Sequence, residues 1–131
     1  MHERKIIHRD IKTDNLLFSR DGVIKLGDFG TAKQLTQEAK KVKEIQGTIN
    51  YMSPELLAET DYDVQTDIWS LGILCVELAN MERPYMEHST SPEDMQKVLK
   101  DKGAPKMEGE WSDGFKDFVS LCLITNTLNP K

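Results

Sequence analysis

The chain has 131 residues, 38% hydrophobic and 30% charged, enough for one domain with a modest core and too apolar for a disordered chain. Its net charge of -5 argues against nucleic acid and an anionic membrane as bulk electrostatic partners. No apolar run approaches the roughly 20 residues that cross a bilayer, and no apolar signal segment follows MHERK.

In chain order, LLFS at 16–19 and VIKL at 23–26 are strand-like runs. Arg20-Asp21-Gly22 between them is a turn signal, so a hairpin is predicted. Residues 31–50 mix Glu38, Lys40, Lys41, Lys43 and Glu44 without a sustained period, which predicts a long loop. Residues 66–81 predict a helix that is apolar all round, with only Asp67 and Glu77 charged. Such a helix belongs in the middle of a larger body. Ser91-Pro92-Glu93-Asp94 starts another helix, with Met95, Val98 and Leu99 as its buried stripe. A last helix begins near Ser112, with Phe115, Phe118, Val119 and Cys122 on one face. Cys75 and Cys122 lack metal-like spacing and sit in apolar patterns, so both are expected to be buried and reduced. Together these elements predict an α+β class, mainly helical with a small sheet.

The polar residues crowd around the hairpin. Asp10, Lys12 and Asn15 precede it, and Asp28 follows it. A hairpin between Asn15 and Asp28 brings a side-chain amide and a carboxylate together, the hard oxygen donors that suit Mg²⁺. Asp10 is a further carboxylate and Lys12 a nearby cation. Transfer of a phosphoryl group from a nucleotide needs these groups: metal ligands, a carboxylate to orient a hydroxyl, and a cation at the moving phosphate. Taken singly, Asp10 and Asn15 also suit turns, Asp67 suits a first helical turn, and His8, Phe29 and Trp69 suit packing.

His8-Arg9-Asp10-Ile11-Lys12-Thr13-Asp14-Asn15 resembles the catalytic loop of eukaryotic protein kinases, and Asp28-Phe29-Gly30 resembles their D-F-G. Ser53-Pro54-Glu55 is similar to their A-P-E, with Ser for Ala. Asp67-Ile68-Trp69-Ser70-Leu71-Gly72 resembles the start of the central helix of their large lobe. The likeness extends through Cys122 and Pro130. It implies a serine/threonine protein kinase using ATP and Mg²⁺, with a protein serine or threonine hydroxyl as substrate. Asp10 is then expected to take the hydroxyl proton and Lys12 to steady the γ-phosphate. Asn15 and Asp28 hold the metal, Leu17 lies under the adenine, and Thr48 contacts Asp10 and Lys12. His8, Phe29, Gly30 and Asp67 tie the site to the central helix. Thr13 stands where Pro is common, a change expected to matter little.

Arg9 before the catalytic Asp usually pairs with a phosphate on the activation loop. The usual acceptor position is Glu44, and no Ser, Thr or Tyr lies between Thr36 and Thr48. Glu44 is therefore expected to be a standing carboxylate partner for Arg9.

The resemblance also implies parts that these residues do not contain: a glycine-rich loop, a phosphate-pairing Lys and its helix Glu, all in a small lobe expected before residue 1. Residues 1–131 are thus expected to be a partial catalytic domain, the large C-terminal lobe. They stop at Asn129-Pro130-Lys131, short of an Arg that usually pairs with Glu55, and the chain alone is expected to be inactive. The net charge, the reduced thiols and the lack of a long apolar run or signal segment predict a cytoplasmic location and no membrane partner. The competing reading is a non-catalytic kinase-like binding module that docks a partner through the segment after Tyr85 and the helix near 92–101. Glu77, Glu82 and Glu87 near the expected substrate face either favour basic peptides or are merely solvated.

Overall fold

A computed structural model describes residues 1–37, 39, 42–88 and 90–124. Its long elements are helices. Strands β1 (Ile6–Ile7), β2 (Leu16–Phe18), β3 (Ile24–Leu26) and β4 (Lys33–Gln34) come first. Helices α1 (Pro54–Leu57), α2 (Gln65–Asn80), α3 (Pro92–Lys102) and α4 (Asp113–Cys122) follow. The sequence expectations at Glu38, Lys40, Lys41 and the Asn129-Pro130-Lys131 end lie outside the described residues.

The hairpin forms between β2 and β3, each one residue shorter than predicted. Its turn closes where Gly22 donates to the Ser19 carbonyl at 3.0 Å and Ser19 donates to Val23 at 2.9 Å. Gly22 adopts φ 75°, a conformation that Gly reaches without steric cost. The register pairs Leu16 with Leu26 and Phe18 with Ile24. Beyond it, the Gly27 amide donates to the Asn15 carbonyl at 2.8 Å, so Asn15 and Asp28 lie at the same end. Described parts of the loop predicted over 31–50 take up regular pairing. β4 pairs antiparallel with β1, and Val42 bridges to Tyr62. Val42 is buried, which fastens the middle of the loop to the helical body.

α2 is the centre of that body. Of its sixteen residues, Thr66, Asp67, Trp69, Ser70, Gly72, Ile73, Leu74 and Val76 are buried. Ile73, Leu74, Val76 and Trp69 join Ile7, Tyr51, Leu56, Leu57 and Tyr62 in one apolar core. Ser70 Oγ donates to the Tyr51 carbonyl at 2.7 Å, and Ser53 Oγ bonds Thr66 Oγ1 at 2.7 Å. Those bonds pin the segment before α1 to the first turns of α2. α3 starts as predicted: Pro92 opens it and Ser91 Oγ accepts from the Asp94 amide at 3.1 Å. Met95 and Leu99 point into the core. Ser112 caps α4 by accepting from the Phe115 amide at 3.2 Å.

α4 packs on α2 through a glycine. A Cβ on Gly72 would lie 2.7 Å from Leu123 Cδ2 and 2.9 Å from Cys122 Cβ. Phe118, expected on the buried face, is 45% exposed. Val119 and Cys122 are buried as predicted, and Leu123 joins Cys122 at the Gly72 seam. Cys75 and Cys122 are free thiols as expected; Cys122 is buried, whereas Cys75 is only partly so, and burial raises the pKa of each above the ordinary thiol value. Among the described residues no helix is long and apolar enough to cross a membrane.

Gly72→Ala is expected to lower unfolding free energy by about 1–3 kcal/mol, the usual cost of overpacking. At the C-terminus of α2, Met81 is 88% exposed and left-handed at φ 55°. Met81→Gly removes that strain and is expected to raise stability by up to about 1–2 kcal/mol. Chemical denaturation of both variants checks the opposite signs.

Candidate active site

The site is built on the short loop between β1 and β2. Its backbone is held from below by Asp67 in the first turn of α2. Asp67 Oδ2 accepts from the His8 amide at 2.8 Å, and Oδ1 accepts from the Arg9 amide at 2.9 Å. His2 Nε2 lies 2.7 Å from Oδ2. Asp67 is 1% exposed, so these donors take the place of water around a buried carboxylate. Arg9 is left-handed at φ 69°, a strained state for a side-chain-bearing residue, and the Asp67 contact supports it. Gly47, at φ 118°, presses on the same point: a Cβ there would sit 2.2 Å from the Arg9 carbonyl oxygen.

His8 is fully buried. Its Nδ1 accepts from the Asp10 amide at 3.2 Å, which puts the ring proton on Nε2, donated to the Gly27 carbonyl at 2.9 Å. The ring therefore ties Asp10 to the residue before Asp28. Phe29 meets it edge-on at 4.8 Å and is otherwise half exposed.

Above this support, four polar side chains converge. Thr48 Oγ1 donates to Asp10 Oδ1 at 2.7 Å. Lys12 Nζ donates to Thr48 Oγ1 at 2.9 Å and lies 3.5 Å from Asp10 Oδ2. Asn15 Nδ2 donates to the Asp10 carbonyl at 2.8 Å and to Asp10 Oδ2 at 3.3 Å. With its nitrogen so engaged, Asn15 has its Oδ1 free of hydrogen bonds among the described residues. Asp28 is exposed and left-handed at φ 53°, with Oδ1 accepting from the Gly30 amide at 3.2 Å. Leu17 is 57% exposed on the hairpin. A Cβ on Gly27 would strike its Cδ1 at 2.9 Å, so the glycine leaves room for that side chain.

Arg9 extends to the other side of the loop. Its Nε donates to the Thr31 carbonyl, and its Nη1 donates to Glu44 Oε2 at 3.2 Å and to the Tyr62 hydroxyl at 3.4 Å. Lys33 Nζ reaches the same Glu44 oxygen at 3.3 Å. The hydrogen bond from Arg9, then that from Lys33, lowers the Glu44 pKa below its ordinary 4.5. Glu55 is half buried, with no cation within ion-pair distance among the described residues.

Several contacts escaped the sequence reading, among them those of Thr13, whose departure from Pro was expected to matter little. Thr13 Oγ1 donates to Glu77 Oε1 at 3.2 Å and lies 3.2 Å from the Tyr51 hydroxyl, bonds that a Pro at this position could not make. The Tyr51 hydroxyl donates to Glu77 Oε2. Burial first, and the Glu77 carboxylate second, raise the Tyr51 pKa above that of a free phenol. Glu77 is thus an internal acceptor as well as an acidic surface group. Tyr51, Tyr62, Thr31 and His2 carry no local sequence signal, because each contact joins segments more than fifteen residues apart.

Residues 1–129 match the protein kinase domain family, and the chain belongs to it. Its relatives include the serine/threonine-protein kinases pakB and pakC of Dictyostelium discoideum and cst-1 of Caenorhabditis elegans. Identity to pakB is 48% over 98% of this chain and 15% of that protein. Identity to pakC is 44%, over 98% of this chain and 27% of that protein. For cst-1 it is 42%, over 95% of this chain and 25% of that protein. The chain therefore spans about a quarter or less of each of these relatives.

Asp67→Asn sets an amide NH₂ against a backbone N–H and is expected to cost about 1–3 kcal/mol, with lost hydrogen-exchange protection at His8 and Arg9. The Glu44 contact has a definite pH sign. A lowered folded pKa makes its contribution complete above the ordinary value near 4.5 and lost as pH falls through the lower folded value. Acid titration followed by hydrogen exchange at residues 42–48 should show that step in the native sequence and lack it in Glu44→Gln.

Proposed function

We propose that these residues form the phosphoryl-transfer centre of a serine/threonine protein kinase that uses Mg-ATP and acts on protein hydroxyls. The observation that carries this reading is the convergence on Asp10: Thr48, Lys12 and Asn15 all bond or neighbour one carboxylate that stays partly open to solvent. Asp10 is suited to orient a substrate hydroxyl and take its proton as the oxygen attacks. Lys12, kept beside Asp10 by Thr48, is placed to hold the transferred phosphate. Leu17 offers an apolar surface for the adenine.

The donor set fits Mg²⁺. Asn15 Oδ1 and the exposed Asp28 carboxylate are two hard oxygen donors at one hairpin end. Among the described residues no cluster of three acidic, His or Cys side chains makes an all-protein metal cage. Two protein ligands with nucleotide oxygens and waters match the habit of this ion. When bound, Mg²⁺ neutralises charge on the nucleotide phosphates.

The exposed apolar side chains of the hairpin, Leu17, Phe18, Val23 and Ile24, suit a covering small lobe, with the described residues as part of the large lobe. Glu44 acts as a standing partner of Arg9, so ordering of the 42–48 segment does not wait for a phosphate. A single carboxylate brings less charge than a phosphate, so the hold is weaker. The second reading, a docking module without catalysis, draws on a cleft of about 610 Å³ between residues 80–88 and 102–108.

In a preparation active on a serine peptide, Asp10→Asn is expected to lower kcat by about 10²–10⁴-fold with peptide binding retained. Transfer at the native rate in that variant would leave only the docking reading. Asn15→Ala and Asp28→Ala are expected to raise the Mg²⁺ concentration needed for half-maximal nucleotide binding, measured by titration.

A further inference from the structure

Beside Asp10 lies an acidic notch that the chain fills with its own cation. Asp14, in the turn after Lys12, and Glu77, in α2, both face Arg83. Arg83 Nη2 donates to Asp14 Oδ2 at 2.9 Å, and its Nε donates to Glu77 Oε1 at 3.4 Å. The guanidinium carbon stands 5.3 Å from the centre of the Tyr51 ring. Asn50 Nδ2 donates to the Pro84 carbonyl at 3.0 Å, which fixes the backbone next to Arg83. The notch is closed at one end, where the Glu77 side chain is 15% exposed, and open at the other, where Asp14 is 59% exposed.

Its place gives it a bearing on substrate choice. Thr13 and Asp14 directly follow Lys12, and Tyr51 lies three residues after Thr48. Lys12 and Thr48 are the two side chains that flank the Asp10 carboxylate. A peptide that brings a hydroxyl to Asp10 lies against those two turns, and the notch borders both, through Asp14 and through the bonds of Thr13 and Tyr51 to Glu77. Two carboxylates and an aromatic face make a receptor for a guanidinium or an ammonium. Here an internal guanidinium takes that place, leaving one net negative charge where there would be two.

We propose that Arg83 is a specificity-determining residue: an internal cation that occupies the acidic notch beside Asp10 and selects against a basic substrate residue at that position. This rests on the reading of Asp10 as the group that meets the substrate hydroxyl. Removing Arg83 releases Asp14 and Glu77 to pair with an arginine of the peptide, and a charge-assisted pair of that kind is worth about tenfold or more in affinity. Arg83→Lys keeps the charge and so keeps the native discrimination.

The test uses serine peptides that differ only by Arg or Ala at each position flanking the serine. For Arg83→Gln, the Arg/Ala ratio of kcat/KM is expected to rise about tenfold or more at one position, chiefly through KM. Arg83→Lys is expected to stay at the native ratio, and Arg83→Gln/Glu77→Gln to fall back towards it. Arg83→Met keeps an unbranched apolar stem at this position and repeats the measurement should the Gln variant fold poorly. Equilibrium binding of the same peptides by fluorescence polarisation asks the question without catalysis. A tenfold preference for Arg in the variant alone, weakened by salt, supports the role. Equal ratios in the native sequence and in a folded Arg83→Gln or Arg83→Met overturn it. Absence of phosphoryl transfer from every variant and from the native sequence, in a preparation that also carries a small lobe and with the binding preference present, would count against the kinase reading and leave the notch intact.

Discussion

One buried carboxylate underlies the site. Asp67 accepts the amides of His8 and Arg9 within 3 Å and thereby holds a strained stretch of backbone against the first turn of α2. An ionised group in that position is costly unless its lone pairs are filled, and here both oxygens are filled by donors from a different segment. The cost of burying the charge and the cost of the left-handed Arg9 are met by the same two hydrogen bonds. His8, Asp10 and Arg9 then leave the loop in three directions, towards the hairpin, the open site and the 42–48 segment. Without the anchor these directions have no common origin.

The position of α2 explains why an apolar helix can serve a polar site. Its apolar residues meet α4 and the Tyr51 segment, so the helix is immobilised on more than one side. Its polar residues are few and each has a specific task. Asp67 holds the loop, Thr66 and Ser70 fasten the segment before α1, and Glu77 receives Thr13 and Tyr51. Rigid packing thus turns into precise placement of groups on a loop, which a loop alone lacks.

What could be read from the sequence was local. The Arg20-Asp21-Gly22 turn between two strand-like runs marked the hairpin, Ser91-Pro92 and Ser112 marked two helix starts, and the apolar run marked α2 within a residue of its ends. The motif spacing pointed to Asp10, Asn15 and Asp28, and the hairpin register brings the last two to one end. The rest depends on distant partners. Two-residue strands such as β1 and β4 lie 27 residues apart and have no pattern of their own. Phe118 has the right period for burial, yet the close contact at Gly72 is made by Cys122 and Leu123. Arg83 and Tyr62 look like ordinary surface and core residues until their partners across the fold are known.

The contacts that make the site span 19 residues for His8 to Gly27, 35 for Arg9 to Glu44, 38 for Thr48 to Asp10 and 59 for His8 to Asp67. Closing such loops is slow and is rewarded only once the chain ends of each loop have met. During synthesis, Asp10 and its neighbours emerge well before the helix that anchors them. The first third of the chain therefore lacks its α2 anchor at its most polar point until that helix has been made. A ribosome-bound chain ending before residue 67 is a state in which this centre lacks the carboxylate that holds the His8 and Arg9 amides.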